Sequence, residues 1–211
     1  MAKNNYDKGD KTLAVINSEE LANFMIERYR FPECWHIPYE INSDIADARK
    51  MQPREKLILV YGRPNTARNL FGMIVEGLRL WQAADPIARA DTEIVFAGEE
   101  FDQSRLIELM NVRAVGKLSL EDYAHTLSRA IVGISLMESP HPSYPPLEMA
   151  SCGCITITNA YDNKDLTLRS ANIISLDELS PRNLCAALNT AFARVTPGEE
   201  RPFSDIRPIQ T

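Results

Sequence analysis

From residue 57 onward, short apolar runs alternate with stretches whose apolar residues recur at helical spacing. With "CITITN" (154–159) and "ANIISL" (171–176) as further short strands, "LILVYG" (57–62), "EIVFAG" (93–98) and "AIVGISL" (130–136) are nearly continuous apolar runs bounded by turn residues. That is the pattern of strands buried on both faces. Residues 69–84, 102–110, 119–129, 145–152 and 180–194 read as helices, with one more short strand near "VRAVG" (112–116). The alternation predicts an α/β fold: a Rossmann-like, doubly wound parallel sheet with helices on both faces.

The first fifty residues have a different rhythm. "LAVINS" (13–18) reads as a short strand, and Ser18 as the N-cap of a helix over "EELANFMIERY", whose first-turn acids suit the helix dipole. "CWHIPYEI" (34–41) returns extended, with Pro38 limiting any ladder it joins. The polar stretch "ARKMQPREK" (48–56) is the candidate linker. Residues 1–12 are polar and read as disordered or tag-derived, and the proline-rich 196–211 as an irregular tail. No internal repeat is evident.

Composition narrows the field. With 211 residues, 45% of them hydrophobic, the chain can build a core without staples. A net charge of -6 with no basic block argues against nucleic-acid binding. No apolar run approaches the roughly 18–20 residues that span a bilayer. The polar start carries no secretory signal, so a cytoplasmic setting is expected. Cys34, Cys152, Cys154 and Cys185 lack zinc-site spacing, and Cys152 and Cys154 read as small buried residues at a helix-to-strand turn. No metal is expected.

In an open parallel sheet, ligands bind beyond the carboxyl ends of the strands. Two loops leaving strands are unusual. "YGRPNTARN" (61–69) carries Arg63 and Arg68 just before a helix. Guanidiniums donate in a planar fork to anionic oxygens, and a helix N-terminus adds partial positive charge. The plainer alternative is a solvated Arg68 and an Arg63 paired with a distant acid. The loop lacks G-x-G-x-x-G and G-x-x-x-x-G-K-[ST], which argues against dinucleotide and P-loop sites. Nor does it hold the acid pair a phosphoreceiver domain needs.

The second loop, "SPHPSYPPLEMA" (139–150), is stiffened by Pro140, Pro142, Pro145 and Pro146, as suits a preorganised ligand surface. Pro146 fits a helix start, placing Ser143 or Tyr144 near the cap. Glu148 then stands in the first turn, either as a dipole acid or as an acceptor for a diol such as ribose. His141 alone reads more simply as a surface histidine.

"SPHPSYPPLEMASCGCITITNA" resembles the donor-site segment of GT-B glycosyltransferases of the glycogen-synthase-like retaining branch, whose pattern is roughly E-G-F-G-L-P-x-L-E-A-M-A-C-G-x-P-V-I. "VYGRPNTARNLFGMIVEGL" resembles their strand–loop–helix, and "IVFAGEE" and "VGKLSLEDYAHTLSRAIVGISLM" follow in order. The resemblance covers residues 13–195 and is nearest to rhamnosyltransferases of bacterial rhamnan and S-layer glycan assembly. It implies one half of a GT-B architecture. Residues 51–195 would be the nucleotide-sugar-binding domain, and 13–50 the crossover remnant of an acceptor-binding N-terminal domain. The enzyme would transfer a sugar to a glycan, in the cytoplasm or at the periphery of the inner membrane.

By that resemblance Arg63 and Arg68 hold the donor diphosphate, with Ser143 and Tyr144 adding contacts. Glu148 binds the ribose, the backbone at Gly116, Lys117 and Leu118 contacts the base, and dTDP-rhamnose is the expected donor, with no further cofactor. One departure is chemical: the branch's first glutamate is Pro140 here, leaving Glu138 and His141 as the only catalytic candidates. The other is length, since most of an acceptor domain is missing and the chain alone would bind donor rather than transfer. An inactive interaction module, or half of a nucleotide-sugar epimerase, are the alternatives.

Overall fold

The computed structural model describes residues 13–48 and 53–195. The expectations for 1–12 and 196–211 lie outside the described residues. Six strands form one parallel sheet: β3 (Glu55–Gly62), β4 (Glu93–Gly98), β5 (Val112–Gly116), β6 (Ala130–Ile134), β7 (Ile155–Asn159) and β8 (Ile173–Leu176). Their spatial order is β5-β4-β3-β6-β7-β8. The chain thus winds outward from β3 in one direction, returns to the middle, and winds out the other way from β6. The reversal lies between β3 and β6, paired at Ile58–Val132 and Val60–Ile134.

Alternation along β3 explains why its run is continuously apolar. Ile58 and Val60 point into a core with α3 (Phe71–Ala84) and α7 (Pro181–Ala193), through Ile74, Leu78, Trp81, Leu184 and Leu188. Leu57 and Leu59 face the opposite core, with Ile45 of α2 (Ser43–Ala48), Ala124 and Leu127 of α5 (Leu120–Arg129), and Met149 of α6 (Pro145–Ser151). Each face is sealed by helices, so the sequence needs apolar residues at both parities. A short α4 (Pro86–Arg89) leads into β4.

Ahead of the sheet lies a small unit: β1 (Ala14–Ile16), α1 (Glu19–Tyr29) and β2 (Cys34–His36), with β1 and β2 parallel. Ser18 caps α1 as expected, accepting the Leu21 N–H at 3.3 Å. The unit is tied to the β7–β8 connection by Asn163 Nδ2 donating to Glu20 O at 2.8 Å, and by ion pairs Arg169–Glu20 at 3.1 Å and Arg28–Asp162 at 3.0 Å.

Two sequence expectations change. Residues 102–110 form a single 3-10 turn, Gln103–Leu106, rather than a helix. Asp102 accepts the Ser104 N–H at 2.9 Å and tightens that turn, which buries Leu106 while Ile107 stays exposed. The polar stretch 48–56 also splits. Its start ends α2, its end opens β3, and Arg54 between them is buried. The Arg54 guanidinium donates to Leu127 O at 3.0 Å, Ala130 O at 2.6 Å and Cys152 O. It thereby joins the carboxyl end of α5, where a cation is favoured, to the α6–β7 turn. Cys152 and Cys154 are buried at that turn, as expected.

Candidate functional site

The loops after β3 and β6 flank the sheet's reversal point, and between them lies a cleft of about 500 Å³. Arg63, Arg68, His141, Ser143 and Tyr144 line it together, although about 70 residues of chain separate the two groups. Arg63 follows β3 directly. Its stem lies over Gly98, whose φ of +123° admits glycine and where a Cβ would come within 3.4 Å of Arg63 Cγ.

Arg68 sits in a 3-10 turn, Ala67–Asn69, and α3 begins only at Phe71 after Leu70 in left-handed backbone. The helix thus starts two residues later than the sequence suggested. Arg68 O accepts the Glu138 N–H at 2.9 Å, and Asn69 Nδ2 donates to Leu136 O at 3.2 Å. Those bonds join the two loops across the reversal point.

The proline-rich loop is held at both ends. At its start, Met137 is gripped by Asn159, whose Oδ1 accepts its N–H at 2.7 Å and whose Nδ2 donates to its carbonyl at 3.2 Å. Lys164, fully buried, donates to the same carbonyl at 2.7 Å. Burial holds this ammonium down to about 8, against the opposing pull of Glu20. At the loop's far end, Pro145 and Pro146 occupy the first helical positions of α6, with Tyr144 as N-cap.

His141 and Tyr144 also meet the small unit. His141 Nδ1 accepts the Ser143 N–H at 2.9 Å, and its Nε2 lies 3.0 Å from Asn17 Oδ1. Asn17 Nδ2 donates to the Tyr144 hydroxyl. Burial, then Arg68 and Lys164, hold the imidazole below its ordinary 6.5. Tyr144 stacks on Tyr39, with centroids 3.8 Å apart.

Glu148 does not line the cleft; its carboxylate lies beyond the tyrosine pair, accepting the Tyr39 hydroxyl at 2.5 Å. Burial raises its pKa, while the hydroxyls of Tyr39 and Tyr123 oppose that rise. Gly116, Lys117 and Leu118 lie at the carboxyl end of β5, two strands from β3, on the same edge of the sheet but outside the cleft. Gly116 takes φ +67°, and Leu118 packs against the core beneath the sheet that holds Leu57, Leu59 and Val95. Glu138 holds the loop through its backbone and leaves its side chain exposed. Among the described residues, no group of three or more His, Cys, Asp or Glu is placed to hold a metal ion.

Sequence reasoning missed Asn17, Tyr39, Ser139, Asn159 and Lys164. Ser139 alone had a signal, as a polar neighbour in the singled-out loop, and it lines the cleft.

The strand order and the cleft at its reversal define a Rossmann-like domain of the GT-B type, and solved structures agree. The sucrose-phosphate synthase of Thermosynechococcus elongatus superposes with a TM-score of 0.60 at 19% identity, covering 86% of this chain and 49% of the synthase. A UDP-forming α,α-trehalose-phosphate synthase of Burkholderia vietnamiensis gives 0.63 at 10% identity, covering 87% and 53%. The chain belongs to the family described as WsaF, C-terminal domain, whose profile matches residues 56–189. It is also 27% identical over 182 residues to the O-antigen biosynthesis protein RfbC of Myxococcus xanthus. That match takes in 85% of the chain but 14% of RfbC, so the chain spans a small part of that relative and about half of each synthase. Its fold is that of about half of each of these synthases.

Proposed function

We propose that residues 51–195 bind the nucleotide-sugar donor, dTDP-rhamnose, of an enzyme that transfers the sugar to a growing glycan. The observation that carries this is the convergence of Arg63 and Arg68 with the His141–Tyr144 loop in one cleft at the sheet's reversal point. Two guanidiniums offset a diphosphate's charge, and charge stabilisation on the departing diphosphate is the main task such a site performs. The reading needs no resident metal or cofactor. Tyr144 sits between this cleft and Glu148, so the ribose would reach Glu148 once the Tyr39–Tyr144 pair gives way.

Residues 13–50 are, in this reading, the end of a preceding domain that holds the acceptor. Val15 and Trp35, register partners in β1 and β2, are each 57% exposed, and Ile37 is 60% exposed. Such an apolar face suits burial in a larger layer. Sugar transfer is therefore expected of the two domains together, at the cytoplasmic face where nucleotide sugars are used. No helix among the described residues is long and apolar enough to cross a membrane.

Isothermal titration with dTDP, dTDP-rhamnose, UDP and GDP tests the reading. Saturable binding selective for the thymidine nucleotides, weakened about 10- to 100-fold in Arg63→Ala and Arg68→Ala, is the expected result. Absence of binding to all four removes the donor reading and leaves an interaction module on the same fold.

A further inference from the structure

His141 is a titratable side chain of the cleft whose two ring nitrogens both meet partners within the protein. A ring nitrogen that accepts an N–H carries no proton, so the bond from Ser143 N at 2.9 Å places the imidazole proton on Nε2. From there it is donated to Asn17 Oδ1 at 3.0 Å. The accepted bond also helps hold Ser143 at φ +67°, left-handed backbone that costs a non-glycine residue energy. One bond therefore keeps a main-chain N–H, itself a good anion donor, engaged with a ring that is itself protonatable.

The charges around the ring are mainly positive. Arg68 faces it from the turn after β3, and Arg63 lines the same cleft. Lys164 approaches from the β7–β8 connection, and Glu20 of α1 lies behind that lysine, paired with Arg169 at 3.1 Å. On the ring's own loop, Tyr144 meets it edge-on at 5.6 Å and Glu138 is exposed. Asn17, the contact from the β1–α1 turn, is neutral. A second proton on this ring is therefore opposed by two cations and by burial, all of which an anion in the cleft would counter.

We propose that His141 takes up a proton when a diphosphate enters the cleft, exchanging its bond to the Ser143 amide for a charge-assisted bond to the anion. This rests on the donor-binding reading above. The proton comes from solvent to Nδ1; no covalent bond forms or breaks. Ser143 N–H, released from the ring, turns to a phosphoryl oxygen, so one proton recruits two donors. The bound state holds the imidazolium more tightly than the free state. Affinity is therefore greatest below the free ring's pKa and falls about tenfold per pH unit between the free and bound values.

Titration calorimetry of the whole chain with dTDP-rhamnose and with UDP-glucose at pH 7.0, in phosphate and in Tris, reads the proton directly. A diphosphate esterified at both ends lacks the secondary phosphate ionisation near pH 6, so any proton taken up belongs to the protein. The expected result is heat that varies with buffer ionisation enthalpy, approaching one proton per site, and no such variation in His141→Gln. Imidazole ¹⁵N spectra of the wild type add a folding-independent check, because the chain has 3 histidines and each can be followed. They should give an Nε2–H tautomer alone and an imidazolium with ligand. Binding without proton uptake, or uptake that persists in His141→Gln, overturns the inference and leaves the donor reading standing. Failure of both nucleotide sugars to bind overturns both.

Discussion

Tyr39 lies face to face with Tyr144 at 3.8 Å and donates its hydroxyl to Glu148 Oε1 at 2.5 Å. A single side chain from the segment after β2 thus meets both the N-cap and the first-turn acid of α6. The hydrogen bond favours the charged form of a carboxyl whose burial disfavours it.

Tyr39→Phe keeps the stack and removes the hydroxyl. The loss should be about 1.5–3 kcal/mol at pH 7, the range for a hydrogen bond to a charged group. Because the folded pKa of Glu148 is raised above 4.5, this carboxyl's contribution is most favourable below pH 4.5 and declines as pH rises through the folded value. Removing the hydroxyl raises that value further. Urea midpoints should show a larger deficit at pH 7 than at pH 4; equal deficits would contradict the account.

Lys164 gives the opposite slope. Its ammonium falls from 10.5 to about 8 on folding, so between those values the unfolded chain holds a proton that the folded chain has released. Stability from this group therefore rises with pH across that window. Compared with Lys164→Met, the wild type should gain roughly 3 kcal/mol from pH 8 to 10.5 in denaturant titrations. A constant difference would show that the lysine is well solvated.

Arg54→Met should cost about 2–4 kcal/mol, since it leaves the carbonyls of Leu127, Ala130 and Cys152 short of their guanidinium donor. Arg54→Lys should recover only part of the loss, because a point ammonium cannot span α5 and the α6–β7 turn. Full recovery in urea denaturation would argue against the fork geometry.

Two glycines of α3 should respond with opposite signs. A Cβ on Gly77 would meet Leu184 Cδ2 at 2.6 Å and Cγ at 2.9 Å, whereas one on Gly72 meets nothing within 4 Å. Gly77→Ala should destabilise by about 1–3 kcal/mol through overpacking against α7. Gly72→Ala should stabilise by about 0.5–1 kcal/mol. Thermal melts of the two variants decide the matter, and matching shifts would refute the packing argument.

The strands and their class were legible because β3, β4 and β6 carry apolar residues at both parities, which only a doubly covered sheet requires. The two loops were legible because arginines and prolines are conspicuous between buried elements. Their convergence was not, since it depends on β6 returning to pair with β3, and strand order leaves no local mark. Lys164 stands among "NAYDNKD", a run that reads as surface turn, and the groups it meets, the Met137 carbonyl and Glu20, belong to distant segments. Tyr39 was hidden for the same reason. Residues 102–110 misled because Leu106 and Leu109 have helical spacing, while a capped 3-10 turn ending at Leu106 and the turn after it bury both.

The central place of β3 has a consequence in time. It pairs with β4 on one side and β6 on the other, and about 70 residues separate its end from the start of β6. During synthesis at about 5–20 residues per second, roughly 4–14 seconds pass before β6 leaves the ribosome's active centre after β3 has done so. Through that interval, the strand that will sit deepest has one flank unclaimed, and any other nascent strand can compete for it. The loop between β6 and α6 is made about 70 residues after the arginines, so the two sides of their shared cleft are brought together only once that loop has been supplied.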